Sequence, residues 1–183
     1  MKLNESNNNI NYESFFKDDL VSYLLSVDKV DKRLPDAPDI EERWETICRS
    51  YLPDGMKEFN SYPTVSLGWM MYSGMAVAKY WDEDWQLYGK VENIYSYLRD
   101  RIDFDHMDDY ICKTVLGLTS DGHKSLQNIV AECASRTVNG LSHLNIEPGT
   151  KETFSAYVAA LRQMYVMGAY MELKELGYHM TKL

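Results

Sequence analysis

Basic side chains are scarce in this sequence. Its 19 Lys and Arg residues stand against 28 Asp and Glu residues, which gives a formal net charge of -9. Nucleic-acid binding needs Lys and Arg gathered on one face, where they neutralise phosphates, and no such cluster occurs. We therefore expect no nucleic-acid partner.

Long apolar runs are also absent. The uncharged stretch from Ser61 to Ala78 contains several polar residues and is interrupted by Pro63. It predicts a buried helix rather than a membrane span, which needs roughly 20 apolar residues. The first residues contain no apolar segment that could serve as a signal peptide, so residues 1–11 are interpreted as a flexible tail. We expect no membrane partner and a cytoplasmic location.

Cysteines are few, and catalytic motifs are missing. Cys48, Cys112 and Cys133 are an odd number without CxxC spacing, which is typical of buried, reduced thiols. The sequence has no GxSxG elbow, no phosphate-binding glycine loop and no Glu-x-x-His metal motif. Its four histidines, which are expected at solvated helix ends, are His106, His123, His143 and His179. We predict no catalytic residue, cofactor or metal. The sequence therefore favours a protein that is not an enzyme.

Apolar residues are plentiful and repeat with helical periodicity. They form 45% of the 183 residues, and aromatic residues form 13%, which is enough for one contiguous core. No run of alternating β-branched residues predicts a strand. We expect residues 12–183 to form a single all-α domain, an antiparallel bundle of six or seven helices. The predicted helices cover 12–27, 39–51, 63–81, 84–101, 105–117, about 120–144 and 150–176.

The third and last predicted helices are the richest in apolar residues and are expected at the centre. Gly68 and Gly74 would let a neighbouring helix approach the third one closely, because glycine lacks a Cβ atom. The last helix carries a single charged residue, Arg162, between Glu152 and Glu172. Pro53 and the glycine that follows it two residues later are expected to end the second helix as a turn.

Acidic residues concentrate between Asp82 and Asp109, where nine carboxylates face only three basic side chains. Such a surface suits a basic protein partner, whose approach it would accelerate electrostatically. The leading hypothesis is a non-catalytic interaction or regulatory protein; the residues proposed to contact the partner are Asp82, Glu83, Asp84, Asp105, Asp108 and Asp109. A divalent-metal site at Asp105 and Asp109 is a less favoured hypothesis, because Asp105 can instead cap the start of a helix. A homo-oligomer is left open.

An aromatic and methionine-lined pocket between the third and last helices is the alternative. It would make the chain a small-molecule-binding protein or an enzyme, since apolar walls with a few polar groups are typical of ligand sites. Arg162 would pair with a carboxylate or anchor an anionic ligand. The candidate pocket residues are Trp69, Tyr72, Trp81, Arg162, Tyr165 and Tyr170. The same aromatic rings could instead fill the core, with their hydroxyl groups at the surface.

Overall fold

A computed structural model describes residues 11–178 of the chain. These described residues are 79% helical and contain no strand, so the all-α prediction is confirmed. The expected tail, residues 1–11, lies outside this range except for Asn11, which caps the first helix by accepting a hydrogen bond from the Ser14 amide. The helices are α1 (Tyr12–Ser26), α2 (Pro38–Glu42), α3 (Trp44–Ser61), α4 (Pro63–Glu83), α5 (Trp85–Lys90), α6 (Ile94–Arg99), α7 (Met107–Tyr110), α8 (Ser120–His143) and α9 (Lys151–Glu175).

Nine α-helices in the described range replace the expected six or seven, because two of the predicted helices are divided. The second is interrupted at Arg43 and becomes α2 and α3. The fourth becomes α5 and α6, with an extended residue, Val91, after the first of them. The fifth is short, since α7 lies between a 3-10 turn, Phe104–His106, and a π turn, Ile111–Val115. Periodicity in sequence does not show these breaks, because inward-facing residues keep their spacing across them.

Pro53 does not end its helix as predicted, because α3 continues through it to Ser61. A proline inside a helix removes one backbone hydrogen bond, so another interaction must hold the segment. Ser66 of α4 donates a hydrogen bond to the Gly55 carbonyl at 2.8 Å. The buried hydroxyl of Tyr51 donates to the Ser66 carbonyl in return. These contacts between α3 and α4 stabilise the helix beyond the proline.

The centre of the fold is the contact between α4 and α9, where the two backbones touch. A Cβ atom on Gly74 would lie 2.0 Å from the carbonyl oxygen of Tyr165, and one on Gly168 would lie 2.1 Å from that of Met71. Glycine is therefore required at both positions. The contacts at the two ends of the pair advance together along the chain, from Ser66 with Tyr157 to Trp81 with Tyr178. The two central helices therefore run in the same direction.

The remaining long helices surround this pair. Helices α3 and α4 are joined only by Tyr62, and they run in opposite directions, as predicted for chain neighbours. The contact of Gly68 with Val130 places α8 against α4. Helix α1 runs parallel to α9, since Tyr12 bonds Glu152 near the start of α9 and Asp28, just after α1, meets Lys174 near its end. None of the helices within residues 11–178 is long and apolar enough to cross a membrane.

Candidate functional site

The six acidic residues predicted to form one surface lie in two separate groups. Asp82, Glu83 and Asp84 end α4, whereas Asp108 and Asp109 act electrostatically on Tyr72, which lies earlier in the same helix. Ten residues of helix separate Tyr72 from Asp82, or about 15 Å at 1.5 Å per residue. The two groups are therefore separate surface features.

Each carboxylate of the first group has a partner in the fold. Asp82 accepts a hydrogen bond from the Tyr178 hydroxyl at 2.5 Å. Glu83 forms an ion pair with Lys79 at 2.6 Å. Asp84 caps α5 by accepting a hydrogen bond from the Leu87 amide at 3.0 Å. These contacts hold the three carboxylates in place while Glu83 and Asp84 remain exposed to solvent.

Aromatic rings lie beside these carboxylates. Trp81 contacts Trp85 and Tyr178, with ring centroids 5.8 and 5.3 Å apart. Helical periodicity predicts an inward position for Trp85, but 58% of its surface is exposed. Tyr178 is 43% exposed and was not singled out in the sequence. We call this surface the acidic aromatic patch; it consists of Trp81, Asp82, Glu83, Asp84, Trp85 and Tyr178.

The second acidic group is partly buried. Burial raises the pKa of the half-buried Asp108 carboxyl, while a hydrogen bond from the Asp109 backbone acts in the opposite direction. Asp109 lies 3.6 Å from Nε2 of His123, which is buried rather than solvated as expected. Asp105 is exposed, and no side chain caps the turn that contains it, so the predicted cap is not made. No group of three potential metal ligands occurs among residues 11–178.

The tyrosines proposed for the pocket on α9 are bonded to α2 instead. The Tyr165 hydroxyl donates to the Ile40 carbonyl at 2.7 Å, and its ring has no exposed surface. The Tyr170 hydroxyl donates to the Glu41 carboxylate at 2.7 Å. Burial raises the pKa of the Tyr165 and Tyr170 phenols above the ordinary value, so both hydroxyl groups remain protonated donors. These side chains fill and anchor the core.

The other proposed pocket residues point elsewhere. Trp69 donates a hydrogen bond to the Phe104 carbonyl at 2.7 Å, and its ring contacts that of Tyr72. Arg162 pairs with Glu13 of α1 at 3.5 Å, which is the carboxylate partner that the sequence led us to expect. Trp81 belongs to the acidic aromatic patch. Only Arg162 and Tyr170 line the same small cavity, beside α1 and α2, so the six residues do not meet around one space.

A cavity of about 390 Å³ does lie between the C-terminal halves of α4 and α9, where the first half of α8 covers them. Met75 and Met171 form part of its wall, so a methionine-lined space is present without the predicted aromatic rings. The complete lining is Lys29, Met75, Lys79, Leu116, Leu118, Gly122, Ser125, Leu126, Met171, Glu172, Glu175 and Leu176.

Glu172 is the unusual group in this lining. The residue is only 9% exposed, and among residues 11–178 its carboxyl has neither a hydrogen bond nor an ion pair within 4.0 Å. Burial raises the pKa of its carboxyl from 4.5 to about 7, while Lys79 acts in the opposite direction. In the sequence, Glu172 ends a long stretch of α9 that contains a single charged residue. This pattern indicates that the helix is buried, but it does not mark Glu172 as a functional group.

We predict that Glu172 makes stability depend on pH. The folded-state pKa is above that of the unfolded chain, so the stabilisation is present below pH 4.5 and is lost as pH rises through about 7. Between pH 5 and 8 the free energy of unfolding should fall by about 2–3 kcal/mol more in the natural chain than in the variant Glu172→Gln. Urea unfolding of both proteins at each pH measures this difference, and parallel pH profiles would contradict it.

The cysteines are unsuited to nucleophilic catalysis. All three are buried, and the described chain contains no disulfide between them. Burial raises the pKa of the Cys112 and Cys133 thiols to about 12, and burial also raises that of Cys48. A nucleophilic cysteine needs a lowered pKa, because the thiolate is the reactive form. These thiols therefore act as apolar core groups.

Comparisons of the chain with protein-family models, with curated protein sequences and with solved structures found no match. Its function is therefore inferred from the contacts, burial and charges of its own residues.

Proposed function

We propose that the chain is a non-catalytic interaction protein that binds a basic segment of another protein through the acidic aromatic patch. The observation that carries this proposal is Trp85, which is 58% exposed beside three carboxylates. Tryptophan is among the residues that contribute most to binding energy at protein interfaces. An exposed tryptophan in contact with a second one supports a contact surface.

The charges around Trp85 favour a basic partner. Lys and Arg side chains bind both to carboxylates and to the faces of aromatic rings, and the patch presents both groups side by side. The formal net charge of -9 attracts a cationic protein over longer distances. A second copy of this chain would bring like charges together at the patch, so self-association through this surface is disfavoured.

The patch is also held in a fixed shape before any partner binds. Tyr178 is bonded to Asp82 and packs on Trp81, and Asp84 fixes the start of the helix that carries Trp85. A preorganised surface loses less conformational entropy on binding. These side chains therefore lose most of their conformational entropy during folding rather than on binding.

We predict that Trp85→Ala weakens partner binding at least tenfold, roughly the effect of removing an interface tryptophan, while changing stability little. A labelled hexa-arginine peptide, followed by fluorescence anisotropy, serves as a defined basic probe. Affinity capture from the cells that make the protein tests the natural partner in parallel. Binding should also weaken as salt is raised, because exposed charges are screened.

Two matched double variants separate the patch from net charge. Asp82→Asn with Asp84→Asn removes two charges but keeps both hydrogen-bond acceptors, including the cap, because Asn caps helices as well as Asp does. Asp103→Asn with Asp105→Asn removes two exposed charges away from the patch, at the 3-10 turn before α7. Only the first pair should weaken binding strongly. Equal loss from both pairs, or retained binding by Trp85→Ala, would contradict the proposed surface.

A further inference from the structure

The cavity between α4, α8 and α9 combines an apolar wall with one buried carboxyl. Met75, Leu126 and Met171 line it, and Glu172 contributes the carboxyl that no other group of the described chain bonds. A buried polar group is normally satisfied, because leaving it without a partner costs free energy. Because no group of the described chain donates to this carboxyl, water or a ligand in the cavity must supply the donor.

The charges that face Glu172 favour a cation over an anion. From α4, Lys79 attracts the carboxylate, while Asp82 and Glu83 repel it. From α9, Glu175 repels it, and α8 contributes only uncharged residues to the lining. Lys79 is already paired with Glu83 at 2.6 Å. An anionic ligand would therefore be repelled by several carboxylates and would find no unpaired ammonium group among the lining residues of α4, α8 and α9.

The second lysine at the cavity is paired as well. Lys29 lies 3.8 Å from Glu175, and their side chains are 34% and 69% exposed. Both side chains of this pair are more exposed than Glu172, which is 9% exposed. Both lysines of the lining are thus in ion pairs with other carboxylates. Glu172 is the lining carboxylate that forms no ion pair.

We propose that this cavity binds a small organic ammonium ion, whose cationic group pairs with the Glu172 carboxylate while its hydrocarbon part lies against the two methionines. The volume of about 390 Å³ is at the lower end of the range of small-molecule sites, so the ligand is a compact one. Methionine side chains adapt to ligands of differing shape, because they are unbranched and flexible. The proposal does not depend on the acidic aromatic patch as a docking surface.

The probe for this site is n-hexylammonium, with 1-hexanol and hexanoate as matched neutral and anionic compounds. Labelling the methionine methyl groups with carbon-13 gives NMR signals for Met75 and Met171, which Met→Leu variants assign. At pH 8 and up to about 10 mM ligand, hexylammonium should shift both signals and bind more tightly than either control compound. At pH 6 the affinity should be about tenfold lower, because protonation removes the charge of Glu172.

Two variants on α9 decide the role of the carboxyl. Glu172→Gln should weaken hexylammonium binding at least about tenfold and abolish the pH dependence, as expected for a lost charge-assisted hydrogen bond. Glu152→Gln removes the same charge at the far end of the helix and should leave the affinity unchanged. The melting temperature of each variant shows that it is folded. Equal binding of hexanol and hexylammonium, absence of methyl shifts, or unchanged affinity in Glu172→Gln would overturn the proposal.

Discussion

Replacing Gly74 or Gly168 by alanine is expected to lower the free energy of unfolding by about 3 kcal/mol or more. The new methyl group would lie 2.0 Å from the Tyr165 carbonyl oxygen in the first variant and 2.1 Å from that of Met71 in the second. Both obstacles are backbone atoms, so the helices must separate, which disturbs every side chain packed between them. Alanine also favours the helix by about 1 kcal/mol, but this gain is smaller than the expected cost. Urea or thermal unfolding measures the change.

The matched control is Gly89→Ala. Gly89 also lies in a helix, but a Cβ atom there would meet nothing within 4 Å. This variant should therefore keep or slightly raise stability through the helical preference of alanine. If Gly74→Ala and Gly168→Ala matched the control, the close parallel contact of α4 and α9 would be wrong, and with it the shape of the Glu172 cavity beside it.

The burial of α4 and α9 could be predicted because the sequence records it directly. Few charged residues occur in either helix, and Met70 and Met164 are indeed fully buried. Gly74 was identified as a site of close approach from its position in an apolar helix. Gly168 was not identified as such a site, because the sequence does not show which helix packs against α9 or in which direction it runs. Periodicity reveals which face of a helix is buried, but not which helix covers it.

The candidate sites were less predictable than the fold. The acidic run from Asp82 to Asp84 was visible in the sequence, but helical spacing does not reveal that Trp85 is exposed. The cavity is formed by three helices distant in sequence, so no local motif marks it. Glu172 becomes distinctive only when its lack of a bonding partner is known.

The patch and the cavity share one ion pair. Lys79 lines the cavity, whereas its partner Glu83 belongs to the acidic aromatic patch. Neutralising Glu83 would therefore change both surfaces, which is why the proposed variants leave it intact. Asp82 and Glu83 also raise the pKa of Glu172. A cation bound at the patch would weaken that repulsion, so the two proposed sites are electrostatically coupled through the end of α4.

Replacing Tyr165 by alanine is expected to lower the free energy of unfolding by about 3–5 kcal/mol, as other buried aromatic residues do. The Tyr165 ring is fully buried, and its centroid lies 5.4 Å from that of Trp44. Its hydroxyl ties α9 to the Ile40 carbonyl of α2. Truncation would leave an empty space among three helices that cannot easily collapse. The change in urea unfolding gives the magnitude.

Tyr165→Phe separates the ring from the hydroxyl, because it keeps the packing and removes only the hydrogen bond to Ile40. It should cost about 1–2 kcal/mol, since the buried carbonyl would lose its partner. Tyr62→Ala, at a side chain that is 63% exposed, should cost less than about 0.5 kcal/mol. A small effect of Tyr165→Ala would mean that this side chain lines an open space rather than filling the core, and the aromatic pocket between α4 and α9 would again be the better interpretation.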